Sequence, residues 1–142
     1  MAQNTEMRSH ERTRRVCELA RSLGFDLCGV APVEGLEELG KLPEWLNRGY
    51  AGEMKYLYDP RRADPRRVLE GARSLIVVAL NYNSPQPYSS KLNSKFDGES
   101  AHGWISRYAW GDDYHAVIQE KLEVLVAETR TEIDEPFEAR AG

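Results

Sequence analysis

The stretch ISRYAWGDDYHAVI, Ile105 to Ile118, sets an arginine, two tyrosines, a tryptophan, two aspartates and a histidine around a single glycine. Gly111 permits a turn or a close approach that a side chain would block. Asp112 or Asp113 can cap the helix that follows, and the unpaired N–H groups and positive end of a helix start favour a polar or anionic ligand. Capping uses one aspartate and leaves Arg107, Tyr108, Trp110, the other aspartate, Tyr114 and His115 in want of partners. In one reading Arg107 pairs with an aspartate while the aromatics fill the core beneath the helix. In the other the segment is the wall of a pocket for a large, flat, partly polar ligand, with ring faces on its plane and Asp, Tyr and His on its edges.

Rival chemistries find less support. Asp113 and His115 could start a metal site, but further ligands should lie close by, and His10 and His102 fall in polar segments. No serine sits in a G-x-S-x-G elbow, since Ser106 precedes an arginine, and there is neither a G-x-G-x-x-G fingerprint nor a P-loop. Cys17 and Cys28 match no zinc or iron–sulfur run and are expected to be buried thiols.

The elements that must position this motif alternate between helix and strand. Val16, Leu19, Ala20 and Leu23 recur at helical spacing and Gly24 stops them. FDLCGVA, Phe25 to Ala31, reads as a strand ended by Pro32. Leu36, Leu39, Leu42, Trp45 and Leu46 repeat helically but are interrupted at Pro43, which predicts two short helical pieces, the second closed by Gly49. A helical turn over Glu53 to Tyr58 precedes turns at Pro60 and Pro65. The apolar run SLIVVALNY, Ser74 to Tyr82, predicts a strand covered on both faces. A long Ser-, Asn- and Pro-rich loop, Asn83 to Gly103, reads equally as a mobile lid, a binding loop or a plain insertion. Ile118, Leu122 and Leu125 then give a helix over about Asp113 to Thr129, with a strand expected to lead into the motif and another to begin at FEARA. The pattern implies α/β or α+β packing around a sheet.

The 142 residues are the size of one domain, and 41% hydrophobic with 30% charged residues is a globular composition. No apolar run approaches the ~20 residues that span a bilayer, and MAQNTEMRSHERTRR lacks the greasy segment of a signal peptide, so a cytoplasmic protein without membrane attachment is expected. A net charge of −4 gives no general attraction to nucleic acid. Between Lys55 and Arg73, however, six basic residues face three acidic ones, a local excess compatible with RNA phosphates.

Four segments, GFDLCGVA, EWLNRGYAGEMKYL, DPRRVLEGARSLIVVALNY and SRYAWGDDYHAVIQEKL, in that order and spacing, resemble the N-terminal part of epoxyqueuosine reductase, from about Arg14 to Ala141. The resemblance implies a nitroreductase-like α/β (α+β) cobalamin-binding domain, a mixed sheet flanked by helices. It implies an oxidoreductase that reduces epoxyqueuosine to queuosine at the wobble position of tRNA with cobalamin and two four-iron, four-sulfur clusters, fed by an electron donor. Carried over by residue, Asp113, Tyr114 and His115 line the cobalt-facing side of the corrin, Ser106 is a neighbouring contact, and Arg62 reaches the cofactor's periphery with Arg61 as its competitor. Gly52, Met54 and Leu57 are expected to pack under the pocket.

Two parts of the family pattern are missing. Its catalytic acid is expected a few residues beyond Gly142, and Asp134 has the wrong neighbours for that role; the cluster cysteines and helical repeats are absent too. Residues 1–142 are therefore expected to be a partial cobalamin-binding domain, inactive and poorly stable alone, belonging to an enzyme that is monomeric when complete. A stand-alone cobalamin-binding or trafficking module and a structural or interaction domain are the competing readings.

Overall fold

The structure, a computed structural model, describes residues 2–34, 37–88, 105–133 and 135–142, with side chains from residue 8 onward. Its elements are α1 (Ala2–Ser22), β1 (Leu27–Pro32), α2 (Leu42–Asn47), β2 (Ser74–Ala79) and α3 (Tyr114–Glu132), joined by short 3-10 turns. The architecture is α+β.

The helix α1 ends where glycine allows it to end. Gly24 takes a left-handed φ of +86°, and the Phe25 N–H then reaches back to the Ala20 carbonyl at 3.1 Å, satisfying a group that the helix end would orphan. The reversal drops Phe25 into the core and starts β1. β1 and β2 pair antiparallel with Leu27 opposite Ala79, Cys28 opposite Val78 and Pro32 opposite Ser74. Asp26 fastens the open end of this pair: its N–H donates to Ala79 O at 2.9 Å and its carboxylate accepts from the Asn81 N–H at 2.6 Å.

Ala20, Phe25 and Leu125 form the buried centre, and Leu19, Leu23, Cys28, Val78, Leu80 and Leu122 pack around it. One face of the sheet thus rests on α1 and α3. The two helices run antiparallel, since Arg12 pairs with Glu135 at 2.7 Å and Arg15 with Glu132 at 2.8 Å, while Lys121 Nζ donates to the Leu23 carbonyl at 2.5 Å at the other end.

Several expectations change here. β2 is not covered on both faces: Val77 is 61% exposed, and Leu27, on the same face opposite Ala79, is 68% exposed. Alternation explains this, because Cys28, Val78 and Leu80 use the face toward the helices and nothing described packs on the other. Residues 137–141 form no strand, because no described strand lies alongside to pair with them. A 3-10 turn, Arg107–Ala109, leads into the motif where a strand was expected. Cys17 and Cys28 are half-buried, with the Cys17 thiol donating to the Cys28 carbonyl at 3.5 Å. Pro43 does separate two helical pieces, by starting the second, Leu42–Asn47, after a 3-10 turn at Glu37–Lys41. Leu36, His102, Asp134 and residues 89–103 of the expected loop lie outside the described residues.

Candidate functional site

The turn at Arg107–Ala109, Gly111 with its φ of +96° and the start of α3 bring Tyr108, Asp113, Tyr114 and His115 together, while Ser106 stands exposed just before that turn, with no described contact to them. Asp113, not Asp112, is the cap. One oxygen of its carboxylate accepts from the His115 N–H and meets His115 Nδ1, each at 2.9 Å. The backbone N–H, then the imidazole, hold the Asp113 carboxyl below its ordinary range. With Nδ1 engaged, Nε2 is the ring nitrogen left for another partner, on a side chain that is largely exposed.

The aromatics do not fill a core. Tyr108 is 51% and Tyr114 42% exposed, and with Tyr82 they form an edge-to-face chain, centroids 6.3 and 5.9 Å apart, that ends on His115, 4.0 Å from the Tyr114 ring. The result is an open ledge of ring faces and edges beside a capped helix start. A Cβ added at Gly111 would meet nothing within 4 Å, so the approach is clear.

Arg107 does not pair with an aspartate either. Its guanidinium donates to the Asn83 side chain and to the carbonyls of Ser84 and Gln86, both at 2.6 Å, while lying 4.1 Å from the Tyr88 ring centroid and 5.5 Å from that of Trp110. It ties residues 83–88 to the motif around a cavity of about 380 Å³. Nothing in the local sequence marks this role, because the partners are backbone carbonyls more than twenty residues away.

Arg62 sits elsewhere, and none of its described contacts reaches the 105–115 segment. DPRRADPRR, Asp59 to Arg67, is a tandem repeat that folds as two 3-10 turns, Pro60–Arg62 and Pro65–Arg67, packed on each other. Asp59 caps the Arg61 N–H at 2.9 Å and grips the Arg61 guanidinium with both oxygens; Asp64 caps the Arg66 N–H at 3.0 Å and pairs with its guanidinium at 2.9 Å. The Arg61 side chain pulls the Asp59 carboxyl down to about 2. Arg61 is thus committed to its neighbour, whereas Arg62 lies over the Tyr56 ring at 5.2 Å and is the arginine of the pair at liberty to meet a ligand. Met54 is exposed and accepts from the Tyr56 hydroxyl at 3.5 Å. No group of three or more His, Cys, Asp or Glu side chains is arranged for a metal ion among the described residues, and no described helix is long and apolar enough to cross a membrane.

Residues 62–142 match the family described as epoxyqueuosine reductase QueG, DUF1730. The chain belongs to the epoxyqueuosine reductase family. It is 36% identical over 126 residues to the epoxyqueuosine reductase of Leadbetterella byssophila, covering 87% of this chain and 38% of that protein. It is 46% identical over 110 residues to that of Gloeobacter violaceus, covering 75% and 31%. The chain therefore spans about a third of the length of these relatives. The fold is similar to that of epoxyqueuosine reductase from Streptococcus thermophilus, with a TM-score of 0.67 and 24% identity over 84% of this chain and 31% of that one. An epoxyqueuosine reductase solved with an epoxyqueuosine-modified tRNA-Tyr stem loop gives a TM-score of 0.69 at 24% identity, over 88% and 32%.

Proposed function

We propose that this chain forms the cobalamin-binding part of an epoxyqueuosine reductase, which reduces epoxyqueuosine to queuosine in tRNA. The reading is carried by the open corner at the start of α3, where Asp113 fixes His115 beside the tyrosine ledge. Such a surface suits a broad, flat ligand with polar edges better than a small enclosed one: ring faces are exposed, the helix start is capped, and Gly111 leaves room for approach. The donor set fits the cofactor: Asp113, Tyr114 and His115 would line the cobalt-facing side of a bound corrin, with Ser106 at a neighbouring contact. Arg62 supplies a cation at the rim.

Bound cobalamin would supply a cobalt centre able to deliver electrons to carbon. This chain's part is to seat it, to exclude water from one face with tyrosine rings, and to keep His115 in one orientation through Asp113. In this reading residues 1–142 are one portion of the cobalamin domain, and the family's two four-iron, four-sulfur clusters are held by other parts of the enzyme. Relatives named epoxyqueuosine reductase and the solved complex with a modified tRNA stem loop support the activity and the substrate.

Titration of the purified chain with cob(II)alamin tests this. A saturable shift of the visible spectrum is expected, weakened about tenfold or more in Tyr114→Ala. A spectrum identical to free cobalamin at every protein concentration would overturn the reading.

A further inference from the structure

Of the charge on the tandem turns at Asp59–Arg67, the cofactor reading uses Arg62 alone. In each repeat the aspartate neutralises the first arginine, Arg61 or Arg66. The second arginine, Arg62 or Arg67, pairs with no carboxylate among the described residues, and both are exposed. Because the turns have the same caps and pack on each other, the two free cations occur at the same position of two identical motifs, and Lys55 adds a third exposed cation nearby in the chain. Aromatic surface is interleaved with this charge: Tyr56 and Tyr58 are 55% and 56% exposed. Cations on a regular repeat beside exposed rings suit a phosphodiester backbone whose bases are free to stack, which describes a nucleic-acid loop better than a paired helix.

We propose that the tandem Asp-Pro-Arg-Arg turns hold an RNA loop, with Arg67 and Lys55 on its phosphates and Tyr58 stacking on an unpaired base. The inference rests on the tRNA reading above and adds to it the surface of this chain that meets the RNA. The two aspartates set the strength: they fix the turns and cancel half of the arginine charge.

The test is fluorescence anisotropy of a labelled RNA stem-loop with the chain, across a salt series. Binding that weakens with salt is expected. Arg67→Gln should weaken it several-fold and lower the slope of log K against log salt by about 0.7. Asp64→Asn keeps a capping oxygen, releases Arg66 and should tighten binding. Arg48→Gln, an exposed arginine paired with Glu44, should change nothing. Tyr58→Ala should weaken RNA binding while leaving the salt slope as it was. The proposal falls if Arg67→Gln matches the parent chain, if no salt-sensitive RNA binding exists, or if inorganic polyphosphate binds as tightly as RNA and Tyr58→Ala has no effect. Cobalamin titration of the same samples separates the two readings: an intact spectral shift with any of these failures overturns the RNA face and leaves the cofactor site standing.

Discussion

One carboxylate oxygen of Asp113 serves both the backbone N–H of His115 and its ring Nδ1, at 2.9 Å each. The same atom therefore starts α3 and orients the imidazole beside Tyr114, so helix capping and site geometry cannot be altered independently there. Asp113→Asn retains a capping oxygen, and its melting temperature should stay within about 1 °C of the parent; Asp113→Ala loses the cap and should melt about 4 °C lower. Both should bind cobalamin more weakly if His115 must be held. Melting followed by circular dichroism, with cobalamin titration of each variant, checks the pair.

Arg107 is the strut between residues 83–88 and the motif. Lysine keeps its charge but has no planar fork to reach the Asn83 side chain and two carbonyls together. Arg107→Lys should raise the amplitude of fast backbone motion at residues 83–88, read as lower heteronuclear NOE values there, while α1 and β1 stay unchanged. Equal NOE values in both proteins would show that the loop holds itself.

Asp59 and Asp64 titrate below their ordinary range because arginine side chains and turn N–H groups stabilise their charged forms. A lowered folded-state value means the contribution is fully present above the unfolded value near 4 and is lost as pH falls through the folded one. The turns should therefore hold at pH 5 and loosen toward pH 2. The amide resonance of Arg61 should titrate with a midpoint near 2, that of Arg66 below 3.8. A midpoint at 3.8 for either would mean that its cap does not form in solution.

How much of this could be read in the residues depends on how far apart the partners lie in the chain. Local signals spoke clearly: Gly24 ends α1, Pro43 starts α2, an aspartate of the Asp112–Asp113 pair caps α3, and both Asp-Pro turns appear where proline and aspartate dictate. The motif's surplus of polar and aromatic groups left core filling and a pocket wall both open, and the structure exposes Tyr108 and Tyr114. What failed depended on distant neighbours. SLIVVALNY has the composition of a doubly covered strand, yet composition states what a strand could bury and not whether anything lies over it. One of the two readings gave Arg107 a nearby aspartate because charge pairing is a local guess, whereas three neutral acceptors converge on it through tertiary structure. The doubled DPRR carries its pairing rule within each repeat, and a local reading could have found which arginine each aspartate takes.

Leu125 shows where stability is concentrated. It joins Ala20 and Phe25 in a buried centre formed by very few residues, so little else can compensate for its loss. Leu125→Ala should cost about 3 kcal/mol, whereas exposed Val124→Ala should cost roughly 0.5 kcal/mol or less. Urea unfolding of both variants checks the contrast, and equal midpoints would mean that α3 does not dock on α1 as described.

The thiol of Cys28 gives the most specific chemical expectation. Burial first, then the hydrogen bond with Cys17, pushes it up to about 11. A thiol is neutral when protonated, so this raised value favours the folded chain below the unfolded value near 8.5, an advantage lost as pH rises through about 11. Thiolate is the reactive species, so Cys28 should be alkylated by iodoacetamide at pH 8 on the order of a hundredfold more slowly than a free cysteine. The rate should climb toward pH 11 and become ordinary at once in urea. Mass spectrometry of the peptides carrying Cys17 and Cys28, sampled over time at several pH values, measures this directly. Rapid labelling of Cys28 at pH 8 in the folded chain would mean that β1 does not lie against α1, and with it the packing that places Val78 and Leu80 over Phe25 would fail.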